Sequence, residues 1–311
     1  MIRLREVINR LSVPLFFLLA YGWSWGCWLV VARILDVYED VLQGVPTILT
    51  VSAIPLAIRI GFATAALTGT FGPAISAVIL TAAIGGKAGL REFFSRIVRW
   101  RVAIRYYLVA FLIPPAMLIL RCGLIIVLGG KPQTTISTYS FWVALGMFIN
   151  YFFRAGGQEE PGFRGFAQPK LQEKFSPAIT SLIIGVLWFF WHLPLYLWVP
   201  DVPQHGQSLI YGLLAQVGIT FTFTWIYNRT QSILIPMLLH ATINFLGEFL
   251  VVHILNTQSE WLIGWISWIV PYFALGVWLI WRYGSRNKTV SSVHRSGKND
   301  LFRIQEGNSP L

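Results

Sequence analysis

Eight stretches of this chain are long and apolar enough to cross a bilayer: 12–34, 66–85, 104–128, 137–155, 178–198, 208–227, 231–252 and 260–282. A helix needs roughly 20 mostly apolar residues to span the hydrocarbon core. The expected fold class is therefore all-α, a polytopic membrane protein of about eight transmembrane helices. Composition agrees. Charged residues make up 12% of the chain, where a soluble domain averages about 25%. A ninth apolar run, 46–63, carries Pro46, Pro55 and Arg59. It reads as a re-entrant or surface segment, or as an early extension of the second span.

Charge placement orients the helices. With the N-terminus inside, the segments 1–11, 86–103, 156–177, 228–230 and 283–311, with the helix ends Arg105, Arg154 and Arg282, hold 20 of the 24 Lys and Arg. Arg33, Arg59 and Lys131 fall outside, and Arg121 lies within the third span. The outer loop after the first span carries Asp36, Glu39 and Asp40 instead. This is the positive-inside pattern, and it places both termini in the cytoplasm of a multi-pass cell-membrane protein. Counting 46–63 as a full span would turn every later basic loop outward.

The net charge of +11 is spread between apolar runs, with no soluble basic domain. It points to anionic headgroups rather than nucleic acid. Residues 87–105 alternate Arg with apolar side chains and read as an interfacial amphipathic segment. The first span follows a basic stretch, as in a signal peptide. It is too long for an h-region and has no small-residue cleavage site, so it is expected to be retained. Residues 1–283 form the expected membrane domain, and 284–311 a polar, disordered cytoplasmic tail. Cys27 and Cys122 both sit in apolar runs and read as packing residues.

Three polar clusters interrupt this apolar chain, and ionisable groups at membrane depth are functional candidates by default. They are Glu159, Glu160 and Arg164 in GGQEEPGFRGF, His192 with Trp188 in WFFWH, and His240 with Asn244 in HATIN. On a helix, residues four apart share a face while neighbours diverge by about 100°. Glu160 is thus placed to pair with Arg164, leaving Glu159 free for chemistry. His240 and Asn244 share a face and can aim two hydrogen-bond donors at one point, as an oxyanion requires. A carboxylate with an imidazole, such as His192, can hold and deprotonate water.

EEPGFRGFAQPKLQ resembles the EExxxR motif of the type II CAAX prenyl endopeptidase family, whose bacterial members are also called CPBP or abortive-infection membrane proteases. LWFFWHLPLYL is similar to its FxxxH motif and LIPMLLHATINF to its HxxxN motif. The arginine-rich WRVAIRYYLVAFLIPP before the third span matches as well. The resemblance covers about residues 64–255 and departs from the family at Trp188, where Phe is usual, and at Pro161. It implies an intramembrane glutamic endopeptidase with an eight-helix core. By that resemblance Glu159 and His192 activate water and His240 and Asn244 stabilise the oxyanion. Glu160, Arg164 and Trp188 support the site. It implies a peptide or lipidated protein as substrate; no metal or other cofactor is expected, since there is no HExxH and the candidate ligands come from three separate helices.

The charge model sets Glu159 near the inner surface, but His192 about 21 Å into its helix at 1.5 Å per residue. For the clusters to meet, the fourth helix must run past Gly156, or 156–166 must dip into the protein. The expected result is a polar cavity open to the cytoplasmic side. Three other readings stay open. A zinc-dependent protease would use the two histidines and a glutamate. A non-catalytic immunity or scaffold protein would keep the fold alone. A transporter would need polar outer loops, and these are sparse. Glu248 reads as snorkelling to the outer interface, and His205, His253 and His294 as surface. Arg121 is assigned no role.

Overall fold

The computed structural model describes residues 2–38, 54–200, 204–253 and 258–283. The tail 284–311 and residues 46–53 of the ninth run lie outside the described residues. The architecture is helical: α1 (Ile2–Arg10), α2 (Ser12–Val37), α3 (Leu56–Thr68), α4 (Gly72–Ile97) and α5 (Ile104–Val127) come first. A continuous helical stretch follows, made of α6 (Phe141–Tyr151), α7 (Gly157–Gly162) and α8 (Gln168–Gln172) joined by π-helical turns at Phe152–Gly156 and Phe163–Ala167. Then come α9 (Pro177–Leu197), α10 (Leu209–Thr230), α11 (Leu234–Phe249) and α12 (Gln258–Tyr283). One short antiparallel pair, Gln133–Ile136 with Leu250–His253, ties the end of α11 to the connection before α6.

Among the described residues, six helical stretches are long and apolar enough to cross a membrane: Ser12–Val37, Leu56–Ile97, Ile104–Val127, Pro177–Leu197, Leu209–Thr230 and Leu262–Arg282. The other two expected spans are the ones that hold the Glu pair and the His240–Asn244 pair. The first is interrupted by π turns and charged residues, and α11 has only 16 residues. Both stay as apolar as the longer spans, and they fall short because one helix is broken and the other is short.

Local sequence explains the boundaries. Ser140 caps α6 by accepting from the Val143 amide, and Ser176 caps α9 in the same way from Ile179. Pro177 sits in the first turn of α9, where its missing N–H costs nothing. Gln231 takes a left-handed conformation at φ 51° and ends α10. Residues 56–63 of the ninth run are indeed an early extension of the second span, since α3 passes into α4 through a 3₁₀ turn. Beyond Gly86, at φ 58°, α4 changes direction. Its basic continuation is no free surface helix. Phe93 is fully buried, Arg96 donates to the Tyr227 hydroxyl at 2.8 Å, and the Arg99 carbonyl accepts from Ser232.

The connections gather at two ends. The Ile233 amide donates to the Arg96 carbonyl and Lys170 reaches Asn9, so the connections after α4, α8 and α10 share one end with α1. This is the basic end of the charge count. The strand pair lies at the other. The core between them is largely aromatic: Phe16, Phe163, Trp191 and Phe223 are fully buried.

Candidate active site

The fourth expected span does run past Gly156, and it passes very close to its neighbours. A Cβ on Gly156 would lie 2.5 Å from the Met237 carbonyl oxygen in α11. One on Gly162 would lie 2.7 Å from the Pro73 carbonyl in α4. The glycines of GGQEEPG thus let the helix carry both carboxylates into the protein, where Glu159 is 6% and Glu160 0% exposed.

The two carboxylates have different surroundings. Arg164 meets Glu160 through Nε at 3.3 Å and Nη1 at 3.4 Å. Its guanidinium lies between the Trp188 and Phe223 rings, 4.4 Å from each centroid. Glu160 also accepts from His240 Nδ1 at 2.8 Å. This second bond crosses 80 positions of sequence, and helical spacing could not reveal it. The Trp188 and Phe223 rings stand edge-on to the His240 ring, 5.6 and 5.7 Å away. The imidazole is therefore held by its partner and by packing, with Nε2 as its remaining polar atom. To donate from both nitrogens His240 must be protonated.

Glu159 accepts a 2.5 Å hydrogen bond from the Trp188 indole N–H. The departure from phenylalanine at this position therefore adds a donor as well as keeping an aromatic ring. His192 Nδ1 lies 3.1 Å from the Trp188 carbonyl. A carbonyl only accepts, so Nδ1 carries the proton and Nε2 presents its lone pair. Nε2 is 3.9 Å from Glu159 Oε2. Two acceptors at that separation leave room for a water that donates one hydrogen to each.

These groups meet at a cavity of about 600 Å³ whose wall includes Glu159, Trp188, His192, His240 and Asn244. All four expected catalytic residues are on it, together with Trp188. Glu160 and Arg164 are fully buried and not on that wall. Asn244 makes no side-chain hydrogen bond among the described residues, so its carboxamide is available to a ligand. Arg121 has its guanidinium 5.2 Å from the centroid of the Trp268 ring, which is also part of the wall. Glu248 is exposed, and the Tyr151 hydroxyl hydrogen-bonds to it.

The cavity extends from these groups toward the connection after α9, where its wall reaches Gln204. The basic end is closed by Phe163, Arg164, Gln168 and Ile233, all 0% exposed. The cause is local: helix 141–172 is longer than the expected span and fills the basic end with its own last turns. Arg154, counted among the basic-end charges, is also on the cavity wall. Among the described residues, no group of three or more His, Cys, Asp and Glu side chains is arranged to hold a metal ion.

Residues 140–246 match the model of the family described as type II CAAX prenyl endopeptidase Rce1-like. The CAAX prenyl protease 2 of Methanococcus maripaludis is 30% identical over 197 residues, covering 60% of this chain and 72% of that protein.

Proposed function

Because the chain belongs to the Rce1-like type II CAAX prenyl endopeptidase family, we propose that it is a glutamate-dependent intramembrane endopeptidase. One observation carries the reading: a carboxylate and an imidazole lone pair face each other 3.9 Å apart on a cavity wall. Water held between Glu159 and His192 gives up a proton to this pair as its oxygen attacks the peptide carbonyl. The carbonyl oxygen becomes an oxyanion, which accepts from His240 Nε2–H and the Asn244 carboxamide. The captured proton then passes to the departing amine as the C–N bond breaks. Glu160 orients His240 through Nδ1 and offsets its charge when both nitrogens donate, and Arg164 anchors Glu160.

The substrate class is a peptide near the membrane, either a CAAX-type prenylated tail or another peptide. The relative's name supports the first, and the direction of the cavity supports the second. By the positive-inside rule the basic end is cytoplasmic, so the mouth near Gln204 faces away from the cytoplasm. The test is cleavage of a quenched prenylated peptide, and of an unprenylated copy, by protein in liposomes, with and without a chelator. Cleavage that Glu159→Gln abolishes and the chelator leaves alone is expected. Cleavage stopped by the chelator and restored by zinc would replace this mechanism with metal chemistry. No cleavage by any form would favour a non-catalytic immunity or scaffold role.

A further inference from the structure

Arg154 is the one lysine or arginine among the described residues that form the cavity wall. It is exposed, and no carboxylate among the described residues lies within ion-pair distance of it. Arg164, only ten positions on, is fully buried and ion-paired with Glu160. The two arginines of one helix thus have opposite situations. An unpaired guanidinium at membrane depth is costly unless an anion or water meets it.

The π turn gives Arg154 its position. The Gly157 amide donates to the Phe152 carbonyl, five residues back rather than four. Such a turn inserts one residue into an α-helix, so that residues five apart across it take the register usually held by residues four apart. Glu159 is five residues after Arg154. The inserted residue therefore turns the guanidinium to the face that bears the catalytic carboxylate, and both are on the cavity wall.

We propose that Arg154 is the substrate's anion-binding residue, taking a peptide carboxylate through its planar fork of N–H donors. This rests on the peptidase reading of the cavity. The rise between Arg154 and Glu159 is about 7.5 Å at 1.5 Å per residue. An extended peptide covers that in roughly two to three residues at about 3.4 Å each. The bound carboxylate, at a C-terminus or on an acidic side chain, therefore lies a few residues from the bond that is cut.

Binding and turnover test it separately. The probes are a farnesyl-cysteine peptide ending in three apolar residues as the free acid, its C-terminal amide, the amide with one aspartate in the tail, and the acid lengthened by four residues. Binding to the Glu159→Gln protein is measured in nanodiscs of zwitterionic lipid, with and without added anionic lipid. The free acid or the aspartate form should bind roughly tenfold or more tighter than the plain amide, the scale of one charge-assisted hydrogen bond. Which of the two does so identifies the source of the carboxylate. Adding Arg154→Gln should erase the preference, and Arg154→Lys should restore part of it. With Glu159 intact, the Arg154→Gln loss should appear in KM for the acid peptide rather than in kcat. The lengthened peptide should lose the advantage of the C-terminal acid. Equal binding of acid, aspartate and amide forms would overturn the proposal, as would an Arg154→Gln loss equal for all of them. A preference governed by the anionic lipid would reassign Arg154 to a headgroup phosphate. If the carboxylate preference stands but wild type cuts no peptide, the anion site survives and the peptidase reading fails.

Discussion

Replacing Glu160 by glutamine removes one negative charge on which two cations depend. Glu160 and Arg164 are both 0% exposed, and the carboxylate meets Arg164 at 3.3 and 3.4 Å and His240 at 2.8 Å. Breaking a buried pair by neutralising one partner costs about 3–5 kcal/mol, because the other charge stays buried and uncompensated. At roughly 2–4 °C per kcal/mol for a large domain, the unfolding midpoint should fall by about 6 °C or more. Glu159→Gln should move it much less, since Glu159 holds no arginine and its amide oxygen can still accept from Trp188. The assay is thermal unfolding in detergent, followed through the 14 tryptophans, with peptide turnover measured on the same samples. Glu159→Gln should be folded and inactive; Glu160→Gln should be destabilised and impaired. A Glu160→Gln midpoint equal to wild type, or below-wild-type stability only in Glu159→Gln, would refute this division of roles.

Trp188→Phe keeps a ring beside Arg164 but deletes the indole donor to Glu159. Losing a hydrogen bond to a charged group costs about 1.5–3 kcal/mol, so turnover should fall by about 10- to 100-fold, and unchanged steady-state rates would rule out a contribution from that bond. Gly162→Ala places a Cβ 2.7 Å from the Pro73 backbone, which cannot yield as a side chain would. Overpacking of this kind costs about 1–3 kcal/mol, while Gly146→Ala, with open space around it, should leave the midpoint unchanged. With Cys27 and Cys122 replaced, Gln204→Cys should react with a membrane-impermeant maleimide in intact cells. Reaction only after permeabilisation would place the cavity mouth in the cytoplasm.

What could be read from the chain beforehand follows the range of each interaction. Apolar length reported the membrane helices because it is a local property. It pointed to 137–155 and 231–252 as well, but not to the breaks in helix 141–172 or to the 16-residue length of α11. The Glu160–Arg164 pair is an i, i+4 contact and was legible from spacing. The Glu160–His240 bond joins separate helices, so no periodicity carries it. The cavity position of Arg154 depends on an inserted residue in a π turn, and an ideal helical wheel assigns that residue to the wrong face. The tryptophan at 188 was visible as an aromatic, but its N–H mattered only once Glu159 lay opposite.

The most direct measurement of the central claim is product analysis in ¹⁸O-labelled water with wild-type and Glu159→Gln protein in liposomes. The account predicts one labelled oxygen in the newly formed carboxyl terminus from wild type, no acyl-enzyme adduct, and no product from a Glu159→Gln protein that still binds the peptide. Cleavage by Glu159→Gln at the wild-type rate, or a trapped acyl-enzyme, would contradict it.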